Sequence, residues 1–185
     1  MGYWQNLKLL MDRLEADMHK NKADYEELNA QLVARFLQAR RMGQRIYFAG
    51  NGGSAGIAVH MNSDFLKNGR VRTGDLFGAA AMTCLANDIG YENVFAEQIA
   101  IQADKGDILV AISSSGCSPN ILAAVKAARQ VGCEVLTLSG FAADNPLRKQ
   151  GDWNIYVPSS AYGIVESIHH AVLQRLVDEM MEEQG

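Results

Sequence analysis

The stretch that decides the fold of this chain reads Ile46-Tyr-Phe-Ala-Gly-Asn51-Gly-Gly-Ser54-Ala-Gly-Ile-Ala-Val-His60-Met-Asn-Ser-Asp64. A short apolar run stops at a glycine-rich loop, and a helical pattern follows at once. Glycines let the backbone approach an anion closely, and the N-terminus of the next helix offers unpaired N–H groups and a positive dipole end. The stretch therefore predicts a phosphate-binding loop, although it lacks the Lys-Ser/Thr ending of a nucleotide P-loop and the spacing of a dinucleotide fingerprint.

Two side chains with acid–base or metal-binding chemistry follow this loop. His60 lies six residues beyond Ser54, and Asp64 follows one helical turn later on the same face. By itself a Gly-Gly-Ser loop is often an ordinary turn, and a lone histidine on a helix is usually structural. A phosphate loop that leads into a His-x-x-x-Asp pair favours an enzyme that acts on a small phosphorylated molecule.

A second strand–loop–helix pattern strengthens this interpretation. The apolar run 108–112 leads into Ser113-Ser-Ser-Gly-Cys-Ser118, and Pro119 suits the first turn of the helix that follows. Four hydroxyls surround one glycine in this serine loop. Because ligands bind outside the carboxyl ends of the strands in open α/β sheets, two such loops in one small chain predict a phosphorylated ligand.

Composition excludes several other classes of protein. The chain has 185 residues, a formal net charge of −4 and no long basic run, which disfavours nucleic acid as a partner. It has no apolar run of the roughly 18–20 residues that span a membrane, and no secretory signal pattern at its start. Cys84, Cys117 and Cys133 are scattered, so we expect reduced thiols in a cytoplasmic protein that does not bind membranes.

The chain as a whole predicts a single α/β domain over residues 1–185. Apolar runs alternate with helical segments, which indicates a parallel sheet covered on both faces. The predicted strands cover residues 46–49, 76–81, 108–112, 135–138 and 154–157. We expect helices over residues 119–131, ending at Gly132, and over residues 164–181.

Residues 1–42 predict two amphipathic helices ahead of the sheet. Apolar residues recur at helical spacing in each, at Leu7, Leu10, Met11, Leu14 and Met18 and then at Tyr25, Leu28, Leu32 and Phe36. Asn21 is a candidate cap for the second helix, and Gly43 is its candidate end. These stripes pack either on the domain itself or against another subunit.

Five motifs resemble those of the sugar isomerase (SIS) family, and more closely its sedoheptulose-7-phosphate isomerase (phosphoheptose isomerase) branch. They are Gly50-Asn-Gly-Gly-Ser-x5-His60, Ala86-Asn87-Asp88-x-Gly90, Gly106-Asp107 leading to Ile112-Ser-Ser-Ser-Gly-x-Ser118, Val135-Leu-Thr-Leu-Ser-Gly140, and Glu166-x-x-His169. The resemblance implies a three-layer α/β/α sandwich around a five-stranded parallel sheet, preceded by two helices. It also implies a homo-oligomer, most simply a tetramer, with the substrate between subunits.

The resemblance assigns residues to the two ends of a sugar phosphate. It places the phosphate on the serine loop, at Ser113, Ser114, Ser115 and Ser118. It places the sugar at the first loop and at an Asn-Asp pair further along, that is at Asn51, Gly52, Gly53, Ser54, Asn87 and Asp88.

The branch also binds a metal, usually zinc, and here this chain departs from it. The four ligand positions correspond to His60, Asp64, Glu166 and Gln174, and only His60 is unchanged. Asp64 stands at the position of the branch's general base and Gln174 at that of its general acid. Glutamine cannot exchange a proton, so the family mechanism does not transfer unaltered, and Glu166 is a second candidate base.

His170 offers a replacement for the missing ligand. Glu166, His170 and Gln174 fall at i, i+4 and i+8 on one helix face, whereas His169 points into the apolar stripe and is expected in the core or at a subunit interface. We predict that His60, Asp64, Glu166 and His170 hold zinc or another divalent ion. The alternative is that His170 is simply an exposed polar residue.

The predicted reaction is aldose–ketose interconversion of a sugar phosphate, most simply of sedoheptulose 7-phosphate and a heptose 7-phosphate. A base removes the proton alpha to the carbonyl to give an enediol and returns it to the neighbouring carbon. Two alternatives stay open. One is a non-catalytic SIS protein that binds a phosphosugar or a protein partner, which Asp64 and Gln174 favour, and the other is an isomerase of a pentose or hexose phosphate.

Overall fold

The computed structural model describes residues 2–183, so Met1, Gln184 and Gly185 of the predicted domain lie outside the described residues. Its strands are Glu15–Met18 (β1), Asn21–Ala23 (β2), Arg45–Ala49 (β3), Arg72–Gly74 (β4), Ile108–Ser113 (β5), Glu134–Ser139 (β6) and Trp153–Tyr156 (β7). Its helices are Tyr3–Met11 (α1), Tyr25–Met42 (α2), Gly53–Lys67 (α3), Ala79–Ile89 (α4), Val94–Gln102 (α5), Pro119–Val131 (α6) and Tyr162–Glu182 (α7). Within this part of the chain, no helix is both long and apolar enough to cross a membrane.

The strands form one sheet, in the order β2-β1-β7-β6-β5-β3-β4, with helices on both faces. The five strands from β7 to β4 are parallel, as predicted. Side chains alternate along β3: Ile46 and Phe48 pack with α2, α3 and α7, whereas Tyr47 and Ala49 pack with α5 and α6. The predicted three-layer α/β/α sandwich is therefore confirmed.

The N-terminal segment contains two helices, but a β-hairpin that the sequence analysis missed lies between them. The first helix ends at Met11, and Met18, which was expected to continue it, lies in β1. β1 pairs antiparallel with β2 and with β7 at the edge of the sheet. These interstrand hydrogen bonds override the helical spacing of the apolar residues, so the sheet has seven strands rather than five.

The sequence predicted the end of the second helix correctly but not its start. Asn21 does not cap it but lies in β2. The cap is Asp24, whose carboxylate accepts hydrogen bonds from the N–H groups of Glu26 and Glu27 at 2.9 and 3.2 Å. Gly43 ends the helix in the left-handed conformation, with φ of 69°, as predicted. Leu28, Leu32 and Phe36 are fully buried, so this stripe packs on its own domain.

One predicted strand, residues 76–81, is wrong. Only Leu76 of this run is buried, and the alanines from Ala79 onward open α4. Alanine has the highest intrinsic helix propensity, which explains why this apolar run becomes a helix. The strand in this region is instead the three-residue β4, which pairs with β3 at the sheet edge.

The sheet brings the two predicted loops together. β3 and β5 are neighbours in parallel register, with Ala49 opposite Ala111. The glycine loop follows β3, and the serine loop follows β5. Because both strands run in the same direction, the two loops lie side by side at the carboxyl edge of the sheet, each leading into a helix.

Candidate active site

A cavity of about 300 Å³ opens where the two loops meet. Eight of the ten predicted substrate-binding residues line it, namely Asn51, Gly52, Gly53, Ser54, Ser113, Ser114, Ser115 and Ser118. Glu166, from the first turns of α7, lines it as well. Ile112 and Tyr162 also line the cavity, and the sequence analysis did not single them out. Tyr162 was accessible to sequence reasoning, because it precedes Glu166 by one helical turn on the same face.

The hydroxyls of the serine loop differ in their hydrogen bonding. The Ser113 and Ser118 oxygens lie 3.1 Å apart, and the N–H of Gly116 donates to the Ser113 hydroxyl at 3.2 Å. The Ser114 hydroxyl oxygen, in contrast, is buried and has no hydrogen-bond partner among the described residues. A buried hydroxyl without a partner is costly, and a bound phosphate oxygen would supply the missing hydrogen bond.

Glu166 lies against the first residue of α3. A Cβ atom added to Gly53 would overlap both carboxylate oxygens of Glu166. Only a glycine therefore lets this carboxylate come so close to the N-terminus of the helix, where unpaired N–H groups and the helix dipole favour negative charge. The lining of the cavity thus includes both hydroxyls and a carboxylate.

Further along, α3 and α7 are joined by two hydrogen-bonded pairs. His60 Nδ1 and His170 Nε2 are 2.8 Å apart, and the Gln174 amide donates to Asp64 Oδ2 at 2.8 Å. The other oxygen of Asp64 accepts from the Asn68 side chain. Burial and, to a smaller extent, the His60 imidazole lower the pKa of His170, while Asp64 opposes the shift. His170 is therefore not the exposed polar residue of the alternative interpretation.

The predicted metal ligands do not converge as a set. Over residues 2–183, no group of three or more His, Cys, Asp or Glu side chains is arranged to hold a metal ion. His60, Asp64 and His170 lie together on the facing helices, whereas Glu166 lies against Gly53. His169 is fully buried, with Nε2 3.1 Å from the Ser139 carbonyl oxygen, and burial lowers its pKa to about 4. It is a core residue, as expected.

The remaining predicted sugar ligands lie elsewhere. Asn87 and Asp88 are exposed on α4, where the Asn87 amide donates to Asp88 Oδ1 at 2.8 Å. Neither residue lines the cavity. Since α4 has no buried residue at all, this pair faces outward from the described chain.

The comparisons with known proteins agree with the fold. Residues 3–140 match the SIS domain family. The phosphoheptose isomerase of Solidesulfovibrio magneticus is 34% identical, over 86% of this chain and 82% of its own length. That of Trichlorobacter lovleyi is 32% identical, over 96% and 92% of the two chains. The solved structure of a phosphoheptose isomerase from Francisella tularensis superimposes with a TM-score of 0.83 at 26% identity, covering 96% of this chain and 92% of that one.

The chain belongs to the SIS domain family. Within that family, its relatives named above are phosphoheptose isomerases, matched over most of their length.

Proposed function

We propose that this protein is a sugar-phosphate isomerase that interconverts sedoheptulose 7-phosphate and a heptose 7-phosphate. The observation that carries the proposal is that the serine loop and the Glu166 carboxylate line one cavity of about 300 Å³. A phosphate cradle and a base that line one cavity are what an enediol reaction on a small sugar phosphate needs. The similarity to phosphoheptose isomerases over most of the chain supports the same activity.

The serine loop binds the phosphate in this proposal. Hydroxyls and helix N-terminal N–H groups satisfy phosphate oxygens without a basic side chain. The unpartnered hydroxyl of Ser114 is the clearest sign of an anion site, because its hydrogen bond is otherwise unmade. The sugar then extends toward the glycine loop and Glu166.

Glu166 is the base that we propose for proton transfer. Its carboxylate takes the proton from the carbon alpha to the carbonyl, and the electron pair left behind forms the enediolate. The proton of the hydroxyl on that alpha carbon then passes to the former carbonyl oxygen, and the same carboxyl returns its proton to the former carbonyl carbon, which leaves the new carbonyl next to it. Asp64 is a less suitable base, because both of its oxygens accept hydrogen bonds and it does not line the cavity. Gln174 then holds Asp64 rather than acting as an acid.

We also propose that His60, His170 and Asp64 hold a divalent ion, zinc by preference. Two imidazoles and a carboxylate on facing helices fit such an ion chemically. In this structure the two imidazoles are hydrogen-bonded to each other, and Asp64 accepts from Gln174. Metal binding therefore requires the His60–His170 hydrogen bond to open. Glu166 stays at the cavity as the base. None of these three residues lines the cavity, so a bound divalent ion would polarise the sugar carbonyl only where the sugar extends beyond the cavity toward them.

A homo-oligomer, most simply a tetramer, completes the proposal. Helix α4 is mostly apolar, yet none of its residues is buried, and α1 leaves Trp4 77% exposed. Packing of these faces against other copies would remove apolar surface from water. Because Asn87 and Asp88 lie on α4, their predicted contact with the sugar requires such an interface.

The proposal is tested by turnover on a panel of pentose, hexose and heptose phosphates, with and without a chelator. We expect the heptose phosphate to be the best substrate. Glu166→Gln should lower kcat by about 100-fold or more, in the range typical of general base catalysis. Failure of the wild-type protein to turn over any of these sugars would refute the isomerase function.

A further inference from the structure

The two substrate loops are joined by a reciprocal pair of amide hydrogen bonds. Asn51 Nδ2 donates to Asn120 Oδ1, and Asn120 Nδ2 donates to Asn51 Oδ1, both at 2.8 Å. Asn51 belongs to the glycine loop after β3, and Asn120 lies in the first turn of α6, directly after the serine loop. The pair therefore bridges the loop proposed for the sugar and the loop proposed for the phosphate.

A third side chain completes this bridge. The Tyr91 hydroxyl donates to Asn51 Oδ1 at 2.9 Å, from a short 3₁₀ helix before α5. Asn51 Oδ1 thus accepts two hydrogen bonds, and one of its two amide N–H groups is also used. The amide orientation is fixed, and Asn51 has a single N–H left to offer a ligand.

Burial makes this arrangement rigid. Asn120 is only 2% exposed, and its amide has Asn51 as its partner in both directions. Removing one partner would leave a buried donor and acceptor unsatisfied, which is unfavourable. The spacing between the two loops is therefore coupled to this one pair of side chains.

We propose that Asn120 is a positioning residue, which acts through Asn51 to fix the glycine loop relative to the serine loop, with Tyr91 completing the arrangement. The inference rests on the proposed function, because it requires one ligand to engage both loops. A sugar phosphate spans the two loops and depends on their spacing. Inorganic phosphate occupies the serine loop alone and does not.

The test compares the dissociation constants of these two ligands by calorimetry. In Asn120→Leu, which is similar in size and uncharged, we expect the Kd of sedoheptulose 7-phosphate to rise about tenfold, equivalent to 1.4 kcal/mol. The Kd of inorganic phosphate should change by less than about twofold, which is under roughly 0.5 kcal/mol. Tyr91→Phe removes a single hydrogen bond at an exposed site and should give a smaller loss with the same selectivity.

The matched control is Asn154→Leu. Asn154 is also buried, at 3% exposure, and its amide donates to the Gly151 carbonyl at 3.2 Å, outside the cavity. This variant should lower the melting temperature without changing the ratio of the two Kd values, so it separates loss of stability from loss of positioning.

The outcomes separate the two proposals. If Asn120→Leu weakens both ligands equally, or neither, the positioning role is overturned while the isomerase proposal stands. If Asn120→Leu does not fold, Tyr91→Phe decides, and an unchanged Kd ratio in that variant overturns the inference. A wild-type protein that binds inorganic phosphate but no sugar phosphate would overturn both.

Discussion

The Glu166 carboxylate lies so close to Gly53 that a methyl group added to the glycine would overlap the carboxylate. The glycine opens α3, and the carboxylate belongs to α7, which packs beside α3. The proposed base is therefore positioned by the absence of a side chain on another helix.

Gly53→Ala should displace Glu166 and lower kcat. The carboxylate is the far end of a flexible side chain, so the added methyl group moves it rather than unfolding the helix. Displacement of a catalytic group by about 1 Å can cost on the order of 100-fold in rate, and we expect a loss of this size in steady-state kinetics.

Gly56→Ala is the matched control for this change. Gly56 lies on the same helix, and apart from the adjoining backbone of that helix no described atom comes within 4 Å of a Cβ placed there. It should keep the wild-type kcat and gain roughly 0.5–1 kcal/mol of stability, since alanine is the better helix former. Equal kcat values in the two alanine variants would argue against Glu166 as the base.

Ser114→Ala should weaken phosphate binding without loss of stability. The Ser114 hydroxyl has no partner in the unliganded protein, so its removal breaks no hydrogen bond. A hydrogen bond to a charged group contributes about 1.5–3 kcal/mol, which predicts at least a tenfold rise in the Kd of inorganic phosphate by calorimetry.

Ser113→Ala provides the contrast. Its hydroxyl contacts Ser118 and accepts from the Gly116 N–H, so we expect a loss of about 1 kcal/mol in the free energy of unfolding. Similar urea midpoints for both alanine variants, together with an unchanged phosphate affinity in Ser114→Ala, would contradict the assignment of the Ser114 hydroxyl to the anion.

Zinc binding should depend on both histidines. His60→Ala and His170→Ala should each lower zinc affinity by about tenfold to 100-fold. Even the loss of a residue that only hydrogen-bonds to a metal ligand has an effect of this size. Gln174→His adds a ligand and should tighten binding. Zinc content after dialysis, measured by mass spectrometry, checks this. Wild-type zinc content in His170→Ala would show that His170 is not a ligand.

The apolar face of α4 should hold copies of the chain together. Light scattering of the wild-type protein should give four times the 20.2 kDa of one chain. Ala81→Glu, on the exposed face of α4, should reduce the assembly, because burial of an unpaired charge is unfavourable. Gln130→Glu, at an exposed polar position near the end of α6, should not. A monomeric wild-type protein at micromolar concentration would rule out the oligomer.

Alkaline pH should destabilise the protein through Cys133. Burial, together with the charges of Asp107 and Asp104, raises the pKa of this thiol from 9.0 to about 11. Between these values the unfolded chain loses the thiol proton and the folded protein keeps it, so stability falls as pH rises.

The comparison of Cys133→Ala with the wild-type protein isolates this effect. Between pH 7.5 and pH 10, urea unfolding should show that the wild type loses about 1 kcal/mol more than the variant. An identical pH dependence in both proteins would mean that the folded thiol titrates normally.

Sequence patterns located the central strands because parallel strands covered on both faces are continuous apolar runs. The same reasoning failed for residues 76–81, since a short apolar run without clear periodicity is compatible with a strand or a helix. It also missed β1 and β2, which are short and polar. Their strand conformation comes from the pairing of β1 with β7 and of β2 with β1, and no local signal predicts these pairings.

The sequence likewise predicted some features of the candidate site and missed others. The cavity loops were predictable, because glycine and serine after a strand are chosen for backbone approach and hydrogen bonding to an anion. The Asn51–Asn120 pair was not predictable, since amide side chains 69 residues apart meet only when β3 and β5 are neighbours. The outward position of Asn87 and Asp88 likewise depends on how α4 packs.

By itself, then, the sequence determined the α/β class, the positions of four of the five parallel strands, the serine and glycine loops, and the residues that share a face of α7. Only the tertiary structure decided how the faces of α3 and α7 meet. His60 pairs with His170 and Asp64 with Gln174 across 110 residues of chain, while Glu166 lies against Gly53. Helical periodicity fixes which side chains lie on one face, but the partners opposite them depend on how two helices pack against the same sheet.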